Sequence, residues 1–152
     1  MIALLQRVTG ASVDVAAQRI AEIGAGLLVF IGVEAGDEPK QAERLLERIT
    51  TYRVFADEAG RMNRSVIDVG GGLLLVPQFT LAADTQKGTR ASFSSAACPD
   101  TGRKLYDHLV EHARALPLTV ASGIFGAEMK VALVNDGPVT FLLRVRPPPQ
   151  AV

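Results

Sequence analysis

Two periodicities alternate along the chain. Ile2–Val8 mixes apolar and polar positions, and Ser12-Val13-Asp14-Val15 alternates strictly. These predict a first strand and its continuation. Arg19–Ile23 alternates again after Ala16-Ala17-Gln18, which predicts a turn and a second strand. Leu27–Val33 is almost wholly apolar and predicts a central strand covered on both faces. Between Lys40 and Thr51, Ala42, Leu45, Leu46 and Ile49 recur at helical spacing with charges on the other side, and Asp37 is the expected N-cap. Tyr52–Phe55 predicts a further strand, closed by Asp57-Glu58-Ala59-Gly60. Gly70-Gly71-Gly72 leads into Leu73–Val76, a buried strand; the glycines lack the lysine and hydroxyl residue of a phosphate-binding loop and predict a turn. A second helix opens at Pro99-Asp100 and runs to about Ala115, with Leu105, Leu109, Ala113 and Leu116 on its core face. Leu118–Ala121 predicts a short strand.

The last two apolar runs, Val131–Val134 and Val139–Val145, flank Asn135-Asp136-Gly137-Pro138-Val139-Thr140. So few special residues between two strands predict a tight reversal, a final hairpin. Gly137 lets backbone approach another group closely, and Pro138 fixes φ and follows the one kind of peptide bond that is commonly cis. The segment suits either an ordinary turn or a rigid backbone probe. Many strands and two good helices give one mixed α/β domain with a mostly antiparallel sheet. Arg146-Pro147-Pro148-Pro149 begins a polyproline-like tail, 146–152, expected to be disordered outside a domain spanning 1–145.

Composition narrows the classes. At 152 residues and 48% apolar the chain suits a single globular domain with a real core. Sixteen basic residues balance sixteen acidic ones, which disfavours gripping long nucleic acid by charge alone and leaves room for an end-directed RNA contact. One cysteine, Cys98, allows no disulfide framework within the chain and fits a reducing cytoplasm. Arg7 comes too early for a signal peptide, and no apolar run reaches membrane-span length, so no membrane role is expected.

The reactive side chains are sparse. His108-Leu109-Val110-Glu111-His112 matches the H-x-x-E-H pattern of zinc hydrolases, with both histidines one turn apart on a helix. No third ligand is apparent in the sequence, and neither metal nor cofactor is expected. Cys98 before Pro99 stands at a helix start, but no histidine is placed near it by sequence. A serine–histidine–aspartate arrangement finds no nucleophile elbow to meet the only two histidines. The polar segment 82–97, with Lys87-Gly88-Thr89-Arg90 at its tip, is long enough to be functional. Gln78-Phe79-Thr80 ends the strand before it; a strand-end threonine with free N–H groups can bind an oxyanion, or simply cap its own backbone.

Several motifs occur together and in order: Gln6-Arg7-Val8-Thr9, Met62-Asn63, Pro77-Gln78-Phe79-Thr80-Leu81-Ala82-Ala83-Asp84, Ser92-Phe93-Ser94, Asp100, Phe125-Gly126-Ala127-Glu128-Met129 and Asn135-Asp136-Gly137-Pro138-Val139-Thr140. Over about residues 1–145 the chain resembles the D-aminoacyl-tRNA deacylase family. The resemblance implies that family's barrel-like fold, a homodimer, and hydrolysis of the ester joining a D-amino acid, or glycine, to the 3′-terminal adenosine of tRNA. It implies that Gly137–Pro138 is cis and enters the partner's pocket, where its carbonyls crowd an L side chain and accept from the substrate's α-amino group. Arg7 would orient that turn. Gln78, Phe79 and Thr80 would line the ester as the catalytic segment. Phe125, Gly126 and Met129 would border the pocket for the terminal adenosine and aminoacyl group.

One departure stands out. The family usually has serine where this chain has Pro77. Related animal deacylases, with a trans Gly-Pro and relaxed chirality, carry Pro-Gln-Ala-Thr; Phe79, Arg7 and the Asn-Asp-Gly-Pro-Val-Thr form favour the D-specific reading. With no side-chain base evident, the RNA's terminal 2′-hydroxyl is expected to help activate water, and Thr80 is the alternative nucleophile or helper. A metal hydrolase and a non-catalytic tRNA-binding dimer are the other classes left open.

Overall fold

The computed structural model describes residues 1–149; part of the expected disordered tail, 150–152, lies outside the described residues. The chain runs β1 (Ile2–Val15), β2 (Gln18–Ile23), β3 (Gly26–Gly32), α1 (Pro39–Thr51), β4 (Phe55–Ala56), β5 (Met62–Arg64), α2 (Val66–Val69), β6 (Gly72–Pro77), a 3-10 turn (Phe79–Ala82), α3 (Pro99–Arg114), β7 (Thr119–Ser122) and β8 (Lys130–Arg144). No helix among the described residues is long and apolar enough to cross a membrane.

The long first strand organises the sheet. One edge of β1 pairs with β3 over Ile2–Val8 and with β2 over Ala11–Val15; the other pairs with β8 along almost its whole length, all antiparallel. Beyond β3 the sheet continues through β6 and β7 in parallel, so antiparallel pairing holds around β1 and parallel pairing beyond it. The sheet curls into a nearly closed barrel. Leu73 and Leu75 pack towards α1 and α3, whereas Leu74 and Val76 pack with Val8, Val13, Ile23 and Leu28 on the opposite face. Covering both faces explains why β3 and β6 are continuous apolar runs rather than alternating ones.

Three sequence expectations are corrected. The chain does not reverse at Asn135–Thr140: both arms of the expected hairpin belong to one strand, β8, running antiparallel to β1. Gln6 pairs with Thr140 and Val8 with Asn135, so Asp136–Val139 stand opposite the single residue Arg7. The turn chemistry thus builds a large bulge. It does so because a common partner strand captures both flanking apolar runs. The strand expected at Tyr52–Phe55 is Phe55–Ala56 instead, paired with Met62–Arg64 around the Asp57–Gly60 turn. Asp37 does not cap α1. It is buried and accepts from the Met1 amino group at 2.8 Å and from the Glu34 N–H at 2.7 Å. Glu38 takes the N-cap position, with the Gln41 side chain accepting from its N–H at 3.0 Å.

Candidate active site

A cleft of about 280 Å³ opens where β3 and β6 end. Ile31, Val33 and Pro77 come from those strand ends, Phe79 from the 3-10 turn, Pro99 and Tyr106 from α3, and Phe125 and Gly126 from the loop after β7. The walls are apolar, which suits the ring faces of a nucleoside or an amino-acid side chain.

Its floor is fixed by Tyr106. The ring is buried, and its hydroxyl donates to the Leu75 carbonyl at 2.9 Å and lies 3.3 Å from the Gly123 carbonyl. Burial pushes the phenol's pKa well above its ordinary value, so it stays a neutral donor. The sequence reading missed Tyr106; the available signal was a tyrosine beside Leu105 on the apolar side of a helix, where a buried hydroxyl must find a partner.

Of Gln78-Phe79-Thr80 at the rim, only Phe79 lines the cleft; Gln78 and Thr80 flank it along the chain and lie outside the lining. Gln78 N–H donates to the Ile31 carbonyl at 2.7 Å, which fastens the end of β6 to β3. The chain then tightens into the 3-10 turn, whose first backbone bond runs from Leu81 N–H to the Gln78 carbonyl at 3.2 Å. Phe79 and Thr80 N–H precede that bond, and these are the donors that a helix start leaves free of intrahelical acceptors. Phe79 is 61% exposed and packs on Phe93 with ring centroids 5.1 Å apart. This pairing ties the rim to the polar loop, which is itself pinned by the Asp84–Ser92 and Glu34–Ala96 bridges. The Gln78 side-chain amide donates to Thr80 Oγ1. Among the described residues, no histidine, lysine or carboxylate lines the cleft.

Of the residues expected at the adenosine pocket, Phe125 and Gly126 line the cleft, whereas Met129 is outside the lining and packs against the core cluster of Val8, Val13 and Leu74. A Cβ on Gly123 would come within 2.7 Å of Met129 Sδ and 3.3 Å of Pro77 Cδ. Gly123 therefore allows Met129 to back the Pro77 wall. Pro77 supplies apolar wall, and Gly123 N–H bonds the Leu75 carbonyl at 2.8 Å beside it.

The β8 bulge forms a second, separate feature. Gly137–Pro138 is cis, and Asp136, Gly137 and Pro138 are exposed. Gly137 has φ of 130°, and a Cβ there would meet Val139 Cγ2 at 2.7 Å and an Arg7 guanidinium nitrogen at 3.1 Å. Arg7 holds the bulge from beneath: Nε donates to the Asp136 carbonyl at 3.1 Å, while Nη1 donates to the Val54 carbonyl at 2.6 Å. Asn135 Nδ2 bridges the Arg7 and Val139 carbonyls at 3.2 and 3.1 Å. Arg7 pairs with Leu27 of β3, and cleft-lining Ile31 is four residues further on. At strand rise that is roughly 13 Å along the sheet. The two features do not meet within one chain.

The comparisons with known proteins agree with one another. Residues 4–144 match the family model described as D-Tyr-tRNA(Tyr) deacylase. A D-aminoacyl-tRNA deacylase of Thioalkalivibrio sulfidiphilus is 64% identical over 97% of this chain and 99% of its own length. One from Herminiimonas arsenicoxydans is 60% identical over the same shares. A solved structure titled c-Myc DNA Unwinding Element Binding Protein superposes with a TM-score of 0.91 at 37% identity, covering 97% of this chain and all of that one. A probable eukaryotic D-amino acid tRNA deacylase shares the fold at TM-score 0.80 and 16% identity, covering 93% of this chain and 97% of its own. With the family model matched over residues 4–144 and relatives of this identity covering almost the whole length, the chain belongs to the D-Tyr-tRNA(Tyr) deacylase family.

Proposed function

We propose that this protein is a cytoplasmic homodimeric hydrolase that cleaves the ester of D-aminoacyl-tRNA, and of mischarged glycyl-tRNA, and rejects L-aminoacyl-tRNA. The observation that carries the reading is an apolar cleft with Phe79 in its lining, at the start of a 3-10 turn, and no side-chain base among its described lining residues; the Phe79 and Thr80 N–H groups would serve as its oxyanion donors. Aminoacyl esters are reactive, so stabilising the developing oxyanion is a sufficient catalytic device. Water adds to the ester carbonyl, with the terminal 2′-hydroxyl of the RNA assisting its deprotonation. The carbonyl oxygen becomes an oxyanion held by the two N–H groups. The bond from carbonyl carbon to the 3′-oxygen then breaks and that oxygen takes up a proton, releasing free amino acid and tRNA. Phe125, Gly126 and Met129 would seat the adenosine and aminoacyl group.

Chirality is assigned to backbone. Arg7 and Asn135 hold the flanking Asp136 and Val139 carbonyls, and a partner subunit would present the Gly137 and Pro138 carbonyls to this cleft. The roughly 13 Å offset between bulge and cleft within one chain supports a cross-subunit arrangement. So does the exposure of Val134 and Leu142 on β8, at 62% and 57%. Rejecting an L side chain ten-thousand-fold needs about 5.5 kcal/mol. A wall of fixed carbonyls supplies it because packed groups yield only at a cost. Glycine has nothing to exclude and would be admitted.

Incubation with matched D- and L-tyrosyl-tRNA tests the proposal. Release of D-tyrosine with the L ester spared supports it. Similar rates for both would point to the relaxed, trans-type deacylase, and tRNA binding without release to a non-catalytic dimer.

A further inference from the structure

The H-x-x-E-H segment gains a partner that the sequence does not reveal. His108 and His112 lie one turn apart on α3, and α1 brings Glu43 against them. His108 Nε2 is 2.9 Å from Glu43 Oε1, and His112 Nε2 is 3.9 Å from the same oxygen. One ligand atom from each of the three residues falls within a 4.8 Å cluster. The middle acid of the motif, Glu111, is not a member of that cluster. None of the three members lines the ester cleft.

We propose that Glu43, His108 and His112 bind one borderline divalent transition-metal ion, of the Zn²⁺ or Ni²⁺ class, as a clamp between α1 and α3. Two imidazoles and one carboxylate are the donor set such ions take, with water completing the shell. His112 is already set for the task. Its Nδ1 lies 2.9 Å from the His108 carbonyl. Donation there leaves the Nε2 lone pair directed into the cluster, the outer-shell arrangement that fixes metal-binding histidines. Ligands about 2.0–2.1 Å from a tetrahedral ion stand about 3.3–3.4 Å apart. The His108–Glu43 distance would therefore open slightly and the His112–Glu43 distance close by about half an ångström, within reach of partly exposed side chains. A hydrogen bond across the 2.9 Å from His108 Nε2 to the Glu43 carboxylate, which can only accept, needs a proton on Nε2. Metal entry moves it to Nδ1 or to solvent.

The ion would couple helices that hold one side of the core, at a distance from the ester chemistry. This separates the clamp from a hydrolytic zinc site: the clamp alters stability and leaves the cleft unchanged. The chain has only two histidines and one cysteine, so binding is readily assigned.

The test is calorimetric titration of chelator-stripped, tag-free protein with Zn²⁺, repeated with Ni²⁺, on the wild type and on Cys98→Ser. The expected result is one ion per chain in both. Glu43→Gln, His108→Asn and His112→Asn should each weaken binding at least about tenfold. At free metal about 100 times Kd, the folded-to-unfolded ratio should rise about 100-fold, read as a higher Tm that Glu43→Gln abolishes. Ester cleavage should be the same with and without chelator. No uptake, or uptake indifferent to all three substitutions, overturns the proposal. Loss of cleavage with chelator would overturn its separation from the catalytic cleft.

Discussion

Thr80 and Tyr106 show how a side chain's surroundings limit its chemistry. The Gln78 amide donates to the Thr80 hydroxyl, and among the described residues no histidine, lysine or carboxylate lines the neighbouring cleft. Thr80→Ala should therefore keep substantial turnover, within about tenfold of wild type in single-turnover assays, since its N–H survives the substitution. A folded but inactive variant would restore the side chain as nucleophile or helper. Tyr106 makes a pH prediction. Its folded-state pKa is raised by burial, so the contribution is fully present below the unfolded value of about 10. Above that pH the unfolded chain ionises while the folded one stays protonated, and stability falls until the folded pKa is passed. Denaturant melts from pH 9 to 11 should show a decline that Tyr106→Phe diminishes, on top of that variant's lost hydrogen bonds. At this scale Phe79, Phe125, Gly126 and Gly137 were legible as candidates because their motifs are ordered along the chain, and the first three line the cleft. Tyr106 and Glu43 were not, because their partners lie far away in sequence.

Among elements, β8 carries the main lesson. Asn-Asp-Gly-Pro is turn chemistry, and nothing local distinguishes a reversal from a bulge. The difference lies in β1, which is long enough to pair with both flanking runs. That is a tertiary fact, and the same holds for Asp37, drawn from its cap by a distant amino group. The two long helices and the buried strands were legible because their periodicities are long and unambiguous, whereas the single turn of α2 at Val66–Val69 was not read. Arg7 gives the bulge its own prediction. Removing the two donors to the Asp136 and Val54 carbonyls frees the turn to yield. Arg7→Ala should raise cleavage of L-tyrosyl-tRNA more than it lowers cleavage of the D ester, measured as the ratio of the two rates. An unchanged ratio would detach Arg7 from selectivity. The polar loop offers another. Lys87 and Arg90 are exposed at its tip, beyond the Asp84–Ser92 bridge. If Arg90 meets a phosphate of the single-stranded tRNA end, Arg90→Ala should reduce the salt slope of tRNA binding by about 0.7. An identical slope would leave it a solvated loop charge.

At the scale of the molecule, one chain carries its cleft and its Gly137–Pro138 bulge as separate features, with no bulge residue in the cleft lining. Neutral net charge is consistent with an enzyme that meets only the acceptor end of its RNA. In the proposed dimer, the exposed β8 residues Val134 and Leu142 and the cleft mouth would be two parts of one symmetric arrangement. The most direct measurement is a crystal structure of the protein with a non-hydrolysable D-tyrosyl-adenosine analogue. The account predicts the carbonyls around the partner subunit's Gly137 and Pro138 within hydrogen-bond distance of the ligand's α-amino group, and the ester position facing Phe79 and Thr80 N–H. A bulge turned out to solvent, or a ligand fully enclosed by a single subunit, would contradict it.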